Sequence, residues 1–388
     1  MASTGGFASV LDLCGGATIA SRSMSPNDLD RLAASVVMFG FDGTTLPESA
    51  TALIVRGAAG AILFKRNITT PRATHALTES LRELAGRPVL LSVDQEGGRV
   101  ARLREGFTQL PPLRRIGETS DSATAERVGR ILGRECRAAG FDLNFAPVVD
   151  VDSNPNNPVI GDRSFGRDPA LSGRLGAALI TGLQSQGVAA CAKHFPGHGD
   201  THQDSHHALP RLSHDLARLR AVELPPFRAA VAAGVATLMT AHVVFEALDP
   251  DQPATLSRAT LEPLRRELGF EGVMVSDDLE MAAVADRYDA SQAASLALMA
   301  GCDLLLVCHR PDRQLAAITA LRELAETSTA GRARLAQASA RVQALAHRFA
   351  AAPGQAFDPS QLRRPDDLDF AASLSMVAGH DPTEVPRT

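Results

Sequence analysis

Eight short apolar runs, spaced between residues 36 and 308 with helix-patterned segments between them, constrain this chain more than any other feature. They are VVMFGF (36–41), GAILF (60–64), PVLLSVD (88–94), FDLNFAPVVD (141–150), VAACAKHF (188–195), ATLMTAHVV (236–244), GVMVSDD (272–278) and CDLLLVC (302–308). Continuous apolar character, rather than polar alternation, suits strands buried on both faces of a parallel sheet. The segments 70–86, 122–140, 169–187 and 256–269 carry helical periodicity, with Ser or Thr near the start and Gly at the stop. Strands alternating with helices in this way predict an α/β fold, a (β/α)8 TIM-like barrel, with a doubly wound open sheet as runner-up. No GxGxxG follows the first strand, which weakens a dinucleotide-binding reading. The helices after Arg310 are expected to pack outside the last strand or to extend past the barrel.

At 388 residues the chain accommodates one large domain plus extensions. We assign residues 30–350 to a single barrel domain, 1–29 to an N-terminal extension and 351–388 to a C-terminal tail, both read as flexible or loosely docked. The first residues lack the positive start and uninterrupted apolar run of a secretory signal, and no stretch reaches the length of a membrane span. The five cysteines (Cys14, Cys136, Cys191, Cys302, Cys308) are odd in number and include no CxxC pair. Reduced thiols in a cytoplasmic protein fit better than a disulfide framework or zinc ribbon, with Cys191 and Cys302 read as buried and inert. A net charge of −5 without basic clusters argues against nucleic-acid partners. With no Trp and only Tyr288, a small polar pocket is a better expectation than a groove that stacks on a polymer.

In such a barrel, chemistry sits where strands end and loops begin. Asp94 ends the third run, Asp150 the fourth with Asp152 just after, and the fifth runs into Lys193 and His194. The sixth carries His242, and the seventh ends in Ser276, Asp277 and Asp278. A strand-end Asp can equally cap the next helix or fix a turn, so each has a bland alternative. Their recurrence at one rim favours a convergent pocket. If strand alternation persists, Asp277 and Asp278 point to opposite faces, one into the barrel and the other outward as a cap.

The stretch KHFPGHGDTHQDSHH (193–207) sets histidines at 194, 198, 202 and 206. Four-residue spacing would line one helical face, and HxxxH can hold zinc. Pro196, Gly197 and Gly199 oppose that helix, so an ordered polar loop is expected and a loop-built metal site ranks behind it. Asp204, two residues before His206, can hydrogen-bond its imidazole and favour the protonated form. That contact reads either as an acid/base pair or as a brace that only stiffens the loop.

The motifs VDQEGGRVARL, GDRSFGRDP, KHFPGHGDTHQDSHHALP and GVMVSDDLEM together resemble glycoside hydrolase family 3, over roughly residues 30–350. The resemblance is to the bacterial β-N-acetylglucosaminidase branch that acts on peptidoglycan fragments. It implies a retaining exo-glycosidase with Asp277 as nucleophile, His206 as general acid/base and Asp204 as its partner. It further implies that Asp94, Arg102, Arg163, Lys193 and His194 bind the terminal GlcNAc of a muropeptide, with no cofactor and no metal. His198, Asp200 and His242 are expected to support the loop and pocket without a chemical role. Two carboxyl groups about 5–5.5 Å apart are usual in retaining enzymes, and a histidine acid/base departs from that pattern. The chain is too short after the barrel for the second domain of two-domain β-glucosidases. The alternatives are a phosphorylase or β-glucosidase of the same family, a metal-dependent hydrolase using the His/Asp loop, and a non-catalytic sugar-binding protein.

Overall fold

The computed structural model describes residues 25–205 and 209–374. Its eight principal strands are β1 (Val37–Phe39), β2 (Gly60–Leu63), β3 (Leu90–Val93), β4 (Leu143–Asn144), β5 (Ala189–Phe195), β6 (Thr237–Thr240), β7 (Val273–Val275) and β8 (Leu305–Val307). They pair in parallel in the order β7-β6-β5-β4-β3-β2-β1-β8. The ends of that row meet where Val275 bridges Leu304 and Ser276 N donates to Leu304 O over 2.9 Å. A doubly wound sheet reverses its strand order at a switch point. Here neighbours follow chain order all the way round, so the sheet is the (β/α)8 barrel.

An outer ring is built from α1 (Pro26–Ala34), α2 (Glu48–Arg56), α3 (Pro71–Ala85), α4 (Ser122–Ala138), α5 (Pro169–Gln184), α6 (Leu224–Ala232), α7 (Arg258–Leu268), α8 (Ala290–Ala300) and α9 (Pro311–Thr327). The punctuation expected from sequence operates: Thr70 caps α3 through Ala73 N, Ser257 caps α7 through Thr260 N, and Gly86 and Gly269 end these helices in the left-handed region. β4 is far shorter than the run 141–150 suggested. Pro147 cannot donate to the ladder, and beyond Asn144 pairing resumes only as a bridge from Val148 to Lys193. The freed Asn144 side chain instead holds Gln95, accepting from its N–H at 2.9 Å and donating to its carbonyl at 2.8 Å.

Alternate residues divide the core in two. Val37, Phe39, Ala61, Leu63, Leu91 and Val93 face the helices. Met38, Ile62, Leu90, Leu143, Cys191, Met239, Val275 and Leu306 fill the barrel interior. The same interior cluster includes Val342, Leu345, Ala346 and Phe349 of α10 (Thr329–Phe349). α9 meets the expectation for the helices after Arg310, packing on α8 and α1 and closing the ring, but α10 does not. α10 turns under the sheet and stops the end of the barrel opposite the strand C-termini. Asp303, fully buried, anchors it by accepting from Arg334 (2.8 Å) and Arg341 (3.0 Å) of α10 and from Arg265 (2.9 Å) of α7.

Residues after α10 lie docked on the barrel flank. Ala351 N donates to Asp142, Gly354 N donates to Glu79, and α11 (Pro365–Ser373) meets α4 through the Arg134–Asp367 ion pair. Cys136, Cys191, Cys302 and Cys308 are free and buried, and burial pushes the Cys191 and Cys302 thiols up to about 12. Among the described residues no helix is long and apolar enough to cross a membrane.

If α10 seals the barrel, Phe349→Ala empties a fully packed site and should cost about 3–5 kcal/mol in urea unfolding. Leu315→Ala, on an exposed position of α9 (43% exposed), should stay within about 0.5 kcal/mol of the parent. Equal effects of the two would contradict the sealing role.

Candidate active site

Every polar residue singled out at a strand end, where described, stands at the C-terminal rim of the barrel. A cavity of about 1070 Å³ opens there, and Asp94, Arg102, Arg163, Lys193, His194 and Asp277 all line it. β3 delivers Asp94, β5 delivers Lys193 and His194, and a single 3₁₀ turn (Gly161–Arg163) in the loop after β4 delivers Arg163. The pairing of β5 with β6 shifts register between Lys193 and Phe195. That shift lets the adjacent side chains of Lys193 and His194 both reach the cavity, where regular alternation would have separated them.

The floor is a buried network of ions. Lys193 Nζ lies 2.9 Å from Asp94 and 2.7 Å from Glu96. Arg163 forks onto Glu96 through Nε (2.9 Å) and Nη2 (2.8 Å), and Arg102 Nη2 stands 3.9 Å from Asp94. Burial alone would favour a neutral Glu96, but Arg163 and Lys193 overcome it and hold this carboxyl well below the ordinary range. Burial likewise opposes the charge on Lys193, yet Asp94 and Glu96 push its pKa up to about 12. Glu96 was not singled out from sequence. Its signal was its place two residues beyond Asp94, which puts both acids beside one lysine.

Asp150 organises the histidine loop. Its Oδ2 accepts from His194 Nδ1 at 2.7 Å and from His194 N at 3.1 Å, while Oδ1 accepts from His198 N at 2.7 Å. Burial, then the Arg163 and Lys193 charges, lower the His194 pKa to about 3, so its imidazole is neutral near pH 7. With the proton on Nδ1 directed at Asp150, Nε2 is left as an acceptor. His198, lowered to about 4 by burial and then by His194, lies between Thr201 Oγ1 (2.9 Å) and Ser205 Oγ (3.1 Å). His202 meets Asn154 at 3.1 Å, and Asp200 turns outward to His214 at 3.0 Å. The loop is irregular, as Pro196 and the glycines required. Gly199 packs so closely that a Cβ there would come within 1.7 Å of the Val151 carbonyl. Among the described residues no three His, Cys, Asp or Glu side chains converge in a metal-holding group.

The segment after β7 differs from the alternating expectation. Asp277 and Asp278 both border the cavity, because regular strand geometry ends at Val275. Asp278 is no outward cap. Its Oδ1 accepts from Glu280 N (3.1 Å) and Cys308 N (3.2 Å), and its Oδ2 meets His309 Nε2 at 3.1 Å. Burial disfavours the Asp278 charge, but His309 keeps its pKa low. Asp278 N donates to Asp277 Oδ1 at 2.8 Å, and buried His242 reaches the Asp278 carbonyl at 2.9 Å. His206 lies outside the described residues. Its neighbour Ser205 lines the same cavity as Asp277, and the Ser205 carbonyl accepts from Ala283 N at 3.3 Å, just beyond the β7 loop. Asp204, the residue before Ser205, is thereby carried on a loop tied to both β5 and the β7 segment.

Comparison with known proteins gives a consistent picture. The model of the glycosyl hydrolase family 3 N-terminal domain matches residues 34–345. A protein of Nitrosomonas eutropha named beta-hexosaminidase is 40% identical over 293 residues, covering 74% of this chain and 84% of the relative. A family 3 β-N-acetylglucosaminidase from a Paenibacillus species superposes with a TM-score of 0.86 at 42% identity, covering 89% of this chain and 68% of that one. The structure of NagZ from Neisseria gonorrhoeae in complex with N-trifluoroacetyl-D-glucosamine gives 0.70 at 35% identity, over 87% of this chain and 97% of the other.

The ion network makes a stability prediction. Glu96→Gln leaves Arg163 without the carboxylate it forks and Lys193 with Asp94 alone, and should cost roughly 3 kcal/mol. A carboxyl whose folded pKa is depressed contributes fully above its unfolded value and loses that contribution as pH falls toward the folded one. The stability gap between wild type and Glu96→Gln should therefore be flat from about pH 5 to 8 and shrink below about pH 4. A gap that widens on acidification, measured by urea unfolding, would contradict the ionised network.

Proposed function

Since the chain belongs to glycosyl hydrolase family 3, we propose that it is a retaining exo-β-N-acetylglucosaminidase releasing terminal GlcNAc from peptidoglycan-derived muropeptides. The observation that carries this reading is that Asp277 opens onto the same cavity as the Asp94–Lys193 pair and neutral His194. A nucleophile, fixed donors and fixed acceptors then face one saccharide.

In the first step the Asp277 carboxylate attacks the anomeric carbon and forms a glycosyl ester. The bond to the glycosidic oxygen breaks, and that oxygen takes a proton from His206, supported by Asp204. In the second step His206, now a base, removes a proton from water. The water oxygen attacks the same carbon, the ester bond breaks, and the sugar leaves with its original configuration. Asp94 and His194 Nε2 accept hydrogen bonds from hydroxyls, while Lys193, Arg102 and Arg163 donate. The cavity extends past this polar end towards Phe64, Arg310 and Arg313, which gives an aglycone room beside the sugar. The four buried, unpaired thiols among the described residues support a place in the cytoplasm.

Asp277→Ala should lower turnover of an aryl β-GlcNAc at least about a thousandfold, equivalent to about 4 kcal/mol, with unchanged thermal unfolding. The initial wild-type product should be free β-GlcNAc by NMR, in the presence or absence of phosphate. Near-normal turnover by Asp277→Ala, or an α-configured initial product, would overturn the mechanism. GlcNAc 1-phosphate formed only with phosphate would assign phosphorolysis instead.

A further inference from the structure

The β7 end poses a mechanical problem. Its ladder to β8 is a single bridge, Val275 to Leu304, flanked by backbone bonds from Leu304 N to Met274 O (3.1 Å) and from Ser276 N to Leu304 O (2.9 Å), and rejoined past the Asp277–Asp278 pair by Leu279 N to Leu306 O (3.0 Å). Side-chain bonds to β8 and the chain leaving it add to these and span the Asp277–Asp278 pair. Ser276 Oγ accepts from Leu306 N at 3.0 Å, and Asp278 Oδ1 accepts from Cys308 N. Glu280 accepts from His309 N at 2.5 Å and from Arg310 N at 3.2 Å. One connection of this seam runs between two side chains: His309 Nε2 to Asp278 Oδ2, at 3.1 Å.

His309 is well placed to set that carboxylate. Its ring stacks on Phe64 with centroids 5.6 Å apart and planes at 28°. Phe64 is itself covered by the Arg66 guanidinium, 4.4 Å from its centroid, and Arg66 donates to the carbonyls of Phe41 and Cys308. The imidazole is thereby oriented by the chain leaving β1, β2 and β8, while its tip reaches the β7 loop. Asp278 in turn donates its backbone N–H to Asp277 Oδ1 at 2.8 Å. A tilt of the Asp278 peptide would redirect that donor and change which Asp277 oxygen faces the sugar.

We infer that His309 is a positioning residue for the reaction: by holding Asp278 from across the β7–β8 seam, it fixes the orientation of the Asp277 carboxylate. This inference rests on the proposed role of Asp277. His309 also borders the cavity, yet its part here is donation to Asp278 and needs no contact with the sugar. The effect belongs to the chemical step, because sugar-binding groups on β3, β4 and β5 lie on other elements. A small misplacement of a reacting group can cost up to about a hundredfold in rate.

The test compares His309→Ala, His309→Gln, Asp278→Asn and the His309→Ala/Asp278→Asn double variant on an aryl β-GlcNAc, with thermal unfolding recorded for each. His309→Ala should lower kcat about tenfold while KM stays within about threefold. His309→Gln, which keeps an N–H donor near the Nε2 position, should recover kcat to within about threefold of wild type. The double variant should be no slower than the slower single variant, as for two residues acting through one contact. The inference falls if kcat of His309→Ala is unchanged, if the loss lies wholly in KM, or if Gln is as slow as Ala. Should His309→Ala not fold, the Gln variant and Asp278→Asn decide: a slow Gln variant or a fully active Asp278→Asn would overturn it. Wild-type turnover with Asp277→Ala inactive, alongside normal His309 variants, refutes this inference alone. An active Asp277→Ala refutes the reading of the site and the inference with it.

Discussion

The site depends on one buried cation shared by two acids. Lys193 stands between Asp94 and Glu96, and Glu96 is in turn forked by Arg163. Each charge would be costly alone inside the barrel mouth, and each lies beside one of opposite sign. The network also locks three separate chain segments into register: the short hairpin after β3, the 3₁₀ turn after β4 and the end of β5. A polar ligand therefore meets donors and acceptors whose directions are set before it arrives, the condition under which hydrogen bonds to hydroxyl groups discriminate best.

Around that floor the barrel solves a second problem, the placement of the Asp277 carboxylate, the proposed nucleophile, beside the fixed groups. β7 carries Asp277 to the rim, where backbone bonds to β8 lie on either side of the Asp277–Asp278 pair and side chains brace the pair itself. Asp278, Glu280, Ser276, His242 and His309 do that work. The histidine loop is managed in the same manner. Asp150 fastens its start at His194 and His198, and Ser205 fastens its far end to His198 and to the segment after Asp278. The loop is thus anchored at both ends of the stretch that precedes His206.

Much of this was legible in the residues. Apolar runs without alternation gave strands buried on both faces, and caps and glycines gave the helices between them to within a few residues. Charged residues interrupting those runs marked the rim, and Pro196 with Gly197 and Gly199 ruled out a helix for the histidines. Other features were hidden for physical reasons. Glu96 sits in a short hairpin strand, Gln95–Gly97, whose irregular register no periodicity reveals. Asp278 escaped because alternation was extended past the last paired residue, Val275. The sealing role of α10 was missed because its apolar face looks the same whether it covers the outside of a sheet or closes its interior. His309 follows an apolar strand with nothing in its neighbours to signal a partner, since Asp278 lies thirty-one positions away and is brought near only by the β7–β8 seam.

The central claim is that Asp277 faces a bound sugar and becomes covalently attached to it. The most direct measurement is peptide mass spectrometry of the enzyme quenched after reaction with an activated, slowly hydrolysed fluoro-GlcNAc. The account expects one N-acetylhexosamine-derived unit, attached to the peptide containing Asp277 and located on that residue by fragmentation. Attachment to a different residue, or turnover of the probe with no adduct at any quench time while its anomeric configuration inverts, would contradict it.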